Sequence, residues 1–385
     1  MRSNNKAKEK MGNNINTKRE AWIDAVRIFA MLSVVFGHSI GASGVVGRDG
    51  LVLWMVAWNM PLFIMLSGYT LVNRLKKTDT LKSVGLSAIQ LGKRMIVPAV
   101  VIGNIMNCVG CVGKKEWLML GLLLLQIIVI LFLYKKYRQS NQELYINIAT
   151  IISVGLELTR THFWFLAMLF LSMVILISIQ WLTKRLEWSN TARNIIFISL
   201  IVIGGGYLDK YEMGDMALYL LFGVMIVELN KKGIDILKNQ WLLFVLPIIG
   251  SALSLYIGNL IYFYDYPEKV LFHNGQWYIY LLRLCCGACW SIWFMALMIR
   301  IVKRYNTICY WGTLTIGIYL THGYFLRYIR SIYSKYVDYD AMNALSGIAI
   351  GVLPAFVLAA ISIGCCYLFK RYRTTRELLL GEYQK

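Results

Sequence analysis

Ionisable side chains stand at regular spacing inside stretches that are otherwise apolar. The first such stretch holds Asp24, Arg27 and His38. At ~100° per residue, the step from Arg27 to His38 is three turns plus ~20°, so both project from one face of a helix. Their separation along the axis is ~16 Å at the usual rise. Asp24 lies three residues before Arg27 and is placed to pair with it. A guanidinium holds anions through a fork of donors, and an imidazole is a general base or nucleophile near neutral pH. The plainer alternative is an arginine extending its charge to a membrane surface and a hydrogen-bonded structural histidine.

The chain has 4 histidines: His38, His162, His273 and His322. His162 precedes Phe163-Trp164-Phe165-Leu166, and His322 closes Ile318-Tyr319-Leu320-Thr321-His322. A second apolar stretch reads Met60-Pro61-Leu62-Phe63-Ile64-Met65-Leu66-Ser67-Gly68-Tyr69. Pro61 frees a backbone carbonyl, and Gly68 permits close approach of a neighbouring backbone. Ser67 and Tyr69 add hydroxyls. Lys93-Arg94 precedes Pro98, and two adjacent cations suit the phosphates of an anionic cofactor.

The elements that must position these groups are membrane helices. Hydrophobic residues make up 58% of the chain and charged residues 16%, more apolar than a soluble domain. The apolar residues fall in runs of ~20, enough for a helix to cross the hydrocarbon core, where backbone groups must satisfy one another. No period-2 alternation suggests an outer-membrane barrel. Spans are predicted near 21–43, 51–73, 94–112, 117–134, 144–158, 163–182, 194–208, 216–229, 241–258, 277–302, 308–328 and 344–369. The pair 117–134 and 144–158 is the weakest, since the second is short and contains Glu157. Without that pair ten spans remain and downstream sidedness is unchanged. The predicted fold is all-α, a polytopic transmembrane helix bundle of ten to twelve spans. Residues 1–20 form a basic tail, 21–370 a single membrane domain and 371–385 a second tail.

The net charge of +20 sits in the tails and in alternate loops: Arg74 to Arg94, Lys135 to Arg138, Lys184 to Arg193, Lys231 to Lys238, and Lys303 with Arg304. This is the positive-inside pattern, which places both termini in the cytoplasm and argues against nucleic acid as a partner. It also puts His38, His162 and His322 in the same outer half of the membrane. The first apolar segment lacks the small-residue cleavage site of a signal peptide. Cys108 with Cys111 and Cys286 with Cys289 form CxxC pairs without nearby histidines, which reads as apolar packing, and no metal is expected. The longest outer loop, Asn259 to Gln276, carries Tyr262, Phe263, Tyr264, Tyr266 and Phe272, either interface aromatics or a platform for stacking sugars.

Taken in order, Asp24-x-x-Arg27 with His38, the Pro-Leu-Phe-x-x-x-Ser-Gly-Tyr stretch, Lys-Arg before a proline, His-x-Trp-Phe-Leu and Tyr-Leu-x-His resemble the acyltransferase-3 family of membrane O-acyltransferases. The resemblance runs from about residue 21 to 369. It implies transfer of an acyl group, usually acetyl from acetyl-CoA, onto a hydroxyl of a carbohydrate, peptidoglycan or small molecule. The matched Arg27 and His38 are the family's functional residues, and Lys93 with Arg94 matches its donor-handling cations. The chain differs from many members in having Leu91 and Asn59 where they carry arginine and histidine. It lacks the hydrolase-like domain of some relatives, so transfer finishes within the membrane domain or on a separate partner.

The expectation is therefore a multi-pass enzyme of a bacterial plasma membrane. CoA phosphates dock on Lys93, Arg94 and Arg27. The pantetheine arm threads between the first two helices past Ser67 and Tyr69 to His38, and His322, His162, Trp164 and Asp24 orient acceptor or imidazole. The acceptor is an extracytoplasmic glycan or small molecule. The rival reading is a transporter or flippase for an envelope glycan precursor, using the same polar face without covalent chemistry.

Overall fold

A computed structural model describes residues 20–42, 50–137, 164–207, 213–260, 277–304, 307–336 and 344–383. In chain order its helices are α1 (Ala21–Ala42), α2 (Gly50–Leu75), α3 (Leu81–Lys114), α4 (Trp117–Tyr137), α5 (Trp164–Arg185), α6 (Asn190–Tyr207), α7 (Met213–Lys231), α8 (Leu242–Leu260), α9 (Trp277–Ile301), α10 (Thr307–Trp311), α11 (Thr315–Tyr336), α12 (Ala344–Arg371) and α13 (Arg373–Leu380). Short 3-10 turns cover Ile236–Lys238 and Gly312–Leu314. Among the described residues there is no strand. By length and composition, Ala21–Ile40, Leu81–Lys114, Phe165–Arg185, Tyr278–Ile301 and Val352–Arg371 are each apolar enough to cross a membrane, with shorter apolar helices at Trp117–Phe132, Asn190–Ile203 and Leu242–Gly258. The chain is an all-helical integral membrane protein.

Three features differ from the pattern read from sequence. Helix α3 begins at Leu81 rather than near 94, because Thr80 and Ser83 form a reciprocal capping box that nucleates it early: Ser83 N–H donates to Thr80 Oγ1 at 3.1 Å. The stretch predicted at 308–328 is broken by the 3-10 turn at Gly312–Leu314. Residues 373–380, read as tail, form a packed helix with Leu378, Leu379 and Leu380 buried. The predicted span 144–158 lies outside the described residues.

The basic segments gather at one end of the bundle. Lys184 Nζ donates to the carbonyls of Leu75 and Lys76 at 3.2 and 3.1 Å and pairs with Asp79 at 2.8 Å, which ties α5 to the turn after α2. Arg300 donates to the carbonyls of Leu237 and Lys238 at 2.9 and 2.7 Å, which ties α9 to the turn after α7. Lys370 donates to Thr313 at 3.2 Å and pairs with Glu382 at 3.0 Å. Here arginine and lysine supply donors to carbonyls at helix ends.

At the same end Arg193 is 1% exposed and forks onto Glu228, with both contacts at 3.0 Å, while donating to Gln180 at 2.7 Å. It locks the start of α6 to the ends of α5 and α7. Removing one partner of a buried pair leaves an uncompensated charge at a cost of ~3–5 kcal/mol. Arg193→Ala is therefore expected to lower the melting temperature and raise protease sensitivity sharply. The paired change Arg193→Met with Glu228→Leu should be milder, since it buries no orphan charge. Equal damage from both would contradict this account.

The tightest crossing joins α2 and α7. A Cβ on Gly68 would lie 1.9 Å from the Leu220 carbonyl oxygen, and one on Gly223 would lie 1.9 Å from that of Met65. Each helix presses its glycine against the other's backbone, a geometry that small residues permit in lipid. Next to it, Tyr219 donates to the Arg283 carbonyl at 3.0 Å and packs over Gly287, which brings α9 against the same crossing. Cys286 is buried, with Sγ 3.2 Å from Ser254 Oγ, at the α8–α9 seam. All eight cysteines are free thiols.

Candidate active site

Helix α1 carries both groups of the polar stripe. Near its start Arg27 pairs with Asp24 at 3.0 Å, and the Asp24 side chain is buried. The backbone there meets the break between α10 and α11: a Cβ on Gly312 would lie 2.0 Å from the Asp24 carbonyl oxygen. Only glycine lets the two chains touch. Helix α11 thus starts in direct register with α1.

Further along, the same two helices bring two imidazoles together. His38 Nδ1 lies 2.9 Å from His322 Nε2, with the rings 14° from coplanar and centroids 5.2 Å apart. His322 is 2% exposed, while His38 is exposed. His322 Nδ1 lies 3.1 Å from the Ile318 carbonyl oxygen. A carbonyl only accepts, so His322 Nδ1 carries the proton and donates to it. In neutral His322 the Nε2 lone pair then accepts from His38 Nδ1–H. This assignment leaves the basic lone pair of His38 on Nε2. A backbone carbonyl and a buried imidazole thus fix the tautomer of the accessible one, the relation that orients the base of a catalytic triad.

Aromatic rings complete the surroundings. Tyr319 packs on His322 with centroids 5.7 Å apart and on Phe165 at 5.6 Å. Phe63 of α2 meets Phe165 at 5.7 Å. The first turn of α5, which opens at Trp164, therefore lies beside the imidazole pair. His162, two residues earlier, lies outside the described residues. Asn59, buried on α2, faces α1 at Gly37, where a Cβ would lie 3.9 Å from Asn59 Nδ2.

Not every candidate gathers here. Ser67 Oγ donates to the Phe63 carbonyl of its own helix at 2.9 Å. Tyr69 stands edge-on to Trp22 with centroids 5.2 Å apart. Phe29 stacks on Trp58 at 5.3 Å, and Trp58 packs on Phe294 at 4.2 Å. The seam between α1 and α2, expected to admit a pantetheine arm, is thus filled ring against ring. Lys93 and Arg94 lie at the basic end. Lys93 Nζ sits 5.3 Å from the Tyr383 ring centroid, and the Arg94 backbone is in contact with Gly381, whose added Cβ would come within 2.4 Å of the Arg94 oxygen. They lie on α3 beside the C-terminal segment, apart from the imidazole pair.

The direct His38–His322 contact was not readable from sequence, which gave only a shared depth. Tyr319 was present in the Tyr-Leu-x-His motif without an assigned role. The docking of residues 373–383 on α3 had one signal, the run Leu378-Leu379-Leu380 that follows Arg376-Glu377 soon after a membrane span.

A helical membrane protein that aims a tautomer-fixed imidazole from inside its bundle has the equipment of a transferase acting at the bilayer. The chain matches the acyltransferase domain of the acyltransferase 3 family over residues 20–371. It belongs to that family and is an acyltransferase. No curated protein and no solved structure matches it.

Proposed function

We propose that this protein moves an acyl group, acetyl in the simplest case, from cytoplasmic acyl-CoA to a hydroxyl of an extracytoplasmic carbohydrate or other envelope acceptor. The membrane is the plasma membrane, crossed by ten to twelve spans with both termini inside, and the basic end of the bundle is the cytoplasmic one. The observation that carries the reading is the hydrogen bond from His38 to His322, which turns Nε2 of an exposed imidazole into a fixed base.

The donor enters at the basic end, where Lys93 and Arg94 meet its phosphates. Helix geometry puts Arg27 and His38 on one stripe of α1, and His38 faces α11, so the arm runs along α1 on its α11 side. The Trp22–Tyr69 and Phe29–Trp58 contacts favour this side over the α1–α2 seam. Ser67 and Tyr69 then act as packing residues. An extended pantetheine arm of ~15–20 Å matches the Arg27 to His38 rise.

At the far end His38 Nε2 takes the acceptor hydroxyl proton as the oxygen attacks the thioester carbonyl. The C–S bond breaks, and the thiolate of CoA recovers a proton from the imidazolium. While His38 is charged its Nδ1–H bond to His322 becomes charge-assisted and stronger. In a second route that the same geometry allows, Nε2 takes the acyl group first and hands it to the hydroxyl. His162 orients the acceptor together with Trp164, the first residue of α5, and Asp24 orients Arg27.

The test is purified protein briefly exposed to radiolabelled acetyl-CoA, with and without acceptor glycan from the cell envelope. Acceptor-dependent thioester cleavage is expected, and label retained on protein in the absence of acceptor identifies the acyl-histidine route. Transport of a glycan precursor without thioester cleavage would overturn the reading. Loss of the positioning bond should be visible separately. His322→Ala is expected to lower kcat by ~10–100-fold, the scale of a charge-assisted hydrogen bond of about 1.5–3 kcal/mol, with KM for acetyl-CoA unchanged. His322→Gln, whose carboxamide oxygen can take the place of Nε2, should recover part of the loss. A change confined to KM would show that His322 serves binding instead.

A further inference from the structure

Beneath the site, residues 372–383 fold back under the bundle. The N–H of Gly381, at φ +64, donates to the Arg376 carbonyl and ends α13. Gly381 itself rests on the Arg94 backbone. Leu380 packs under α11: a Cβ on Gly317 would lie 2.5 Å from its Cδ2 and 2.6 Å from Cys366 Sγ. Arg376 is one helical turn before Leu380 and therefore on the same, bundle-facing side of α13. Its position is below Gly317, and His322 is five residues further up that helix, ~7.5 Å along the axis.

Arg376 has an unusual set of surroundings. Its Nε is buried without a hydrogen-bond partner, and among the described residues its guanidinium makes no ion pair. The neighbouring carboxylates are engaged elsewhere: Glu377 by Arg373 at 2.9 Å and Glu382 by Lys370 at 3.0 Å. A buried N–H without a partner costs free energy, and an anion accepting from Nε and a neighbouring Nη would recover it. We propose that Arg376 is a phosphate ligand for the acyl donor, forming with Lys93 and Arg94 a three-cation cluster where the C-terminal segment meets α3 and α11. The proposal rests on the donor reading above and extends it to a residue beyond the matched domain. The planar fork suits a phosphate, which accepts two parallel N–H bonds. The C-terminal segment is then part of the donor site and carries the cation into place through the Gly381–Arg94 contact.

The test uses the full chain in nanodiscs of zwitterionic lipid, with acetyl-CoA and S-acetylpantetheine, which lacks every phosphate, measured by calorimetry or competition. Wild type is expected to bind acetyl-CoA, Arg376→Gln to bind it about tenfold or more weakly, and neither to differ for S-acetylpantetheine. Unchanged acetyl-CoA affinity in Arg376→Gln overturns the proposal. So does an equal loss for S-acetylpantetheine, which would mark a structural role. An Arg376→Gln effect on phosphatidylglycerol vesicles without one on acetyl-CoA overturns it in favour of a lipid headgroup. Should Arg376→Gln lower the melting temperature, Arg376→Lys carries the test. It keeps the charge and loses the fork, and its affinity must still fall for acetyl-CoA alone. Wild type that binds no acetyl-CoA removes the donor reading itself, a different result from a failure confined to Arg376.

Discussion

His38→Ala is expected to lower acyl transfer by ~10²–10⁴-fold, the usual contribution of a positioned general base. Acetyl-CoA affinity should stay near wild type, because the cations proposed to hold its phosphates, Lys93 and Arg94, lie on α3 and not beside His38. The measurement is acceptor-dependent thiol release, with donor binding followed separately. The split between the two readouts matters more than the size of the loss. A structural histidine would take folding and binding down together, whereas a base leaves a folded protein that binds donor and does not transfer. His38→Gln should be nearly as inactive as His38→Ala: an amide can donate to His322 but has no basic nitrogen to accept a proton. Transfer at the wild-type rate in either variant would remove the imidazole pair from the mechanism.

The second large effect is expected far from the chemistry. Gly68→Val or Gly223→Val should abolish recovery of folded protein. A side chain at either position meets a backbone oxygen at 1.9 Å, and no rotamer change can relieve contact with backbone. Even Gly68→Ala must separate α2 from α7, and overpacking of this kind costs ~1–3 kcal/mol. The expected fall in melting temperature is several degrees, on the order of 2–4 °C per kcal/mol for a chain of moderate size. Acetyl-CoA binding and transfer in whatever Gly68→Ala protein survives should be near normal. If instead Gly68→Ala is stable and inactive, the glycine serves the substrate path and not the crossing.

Much of this arrangement was legible in the sequence because lipid imposes one rule on every segment. Apolar runs of the right length must be helices, so α1, α5, α9 and α12 begin and end near their predicted limits. The Arg27–His38 stripe followed from helical periodicity alone, and the Asp24–Arg27 pair from a spacing of three. What periodicity cannot provide is the partner across a helix interface. That His322 should meet His38 depends on how α11 packs along α1, whose starts the Gly312 contact brings together. Ser67-Gly68-Tyr69 shows the same limit. The spacing reads as two hydroxyls beside a glycine, while in the fold the glycine faces α7, the tyrosine meets Trp22 and the serine bonds its own helix. Three consecutive helical residues point ~100° apart and serve three different neighbours. The early start of α3 is hidden by Lys82, Lys93 and Arg94, which resemble a loop by charge, although Thr80 and Ser83 set a helix start before them.

The touch between Gly312 and Asp24 has a mechanical consequence. His38 stands fourteen residues beyond that touch along α1, and His322 ten residues beyond Gly312 along α11. A side chain at position 312 would force the starts of the two helices apart, and the spacing of the ring nitrogens would change with it, far from the substituted residue.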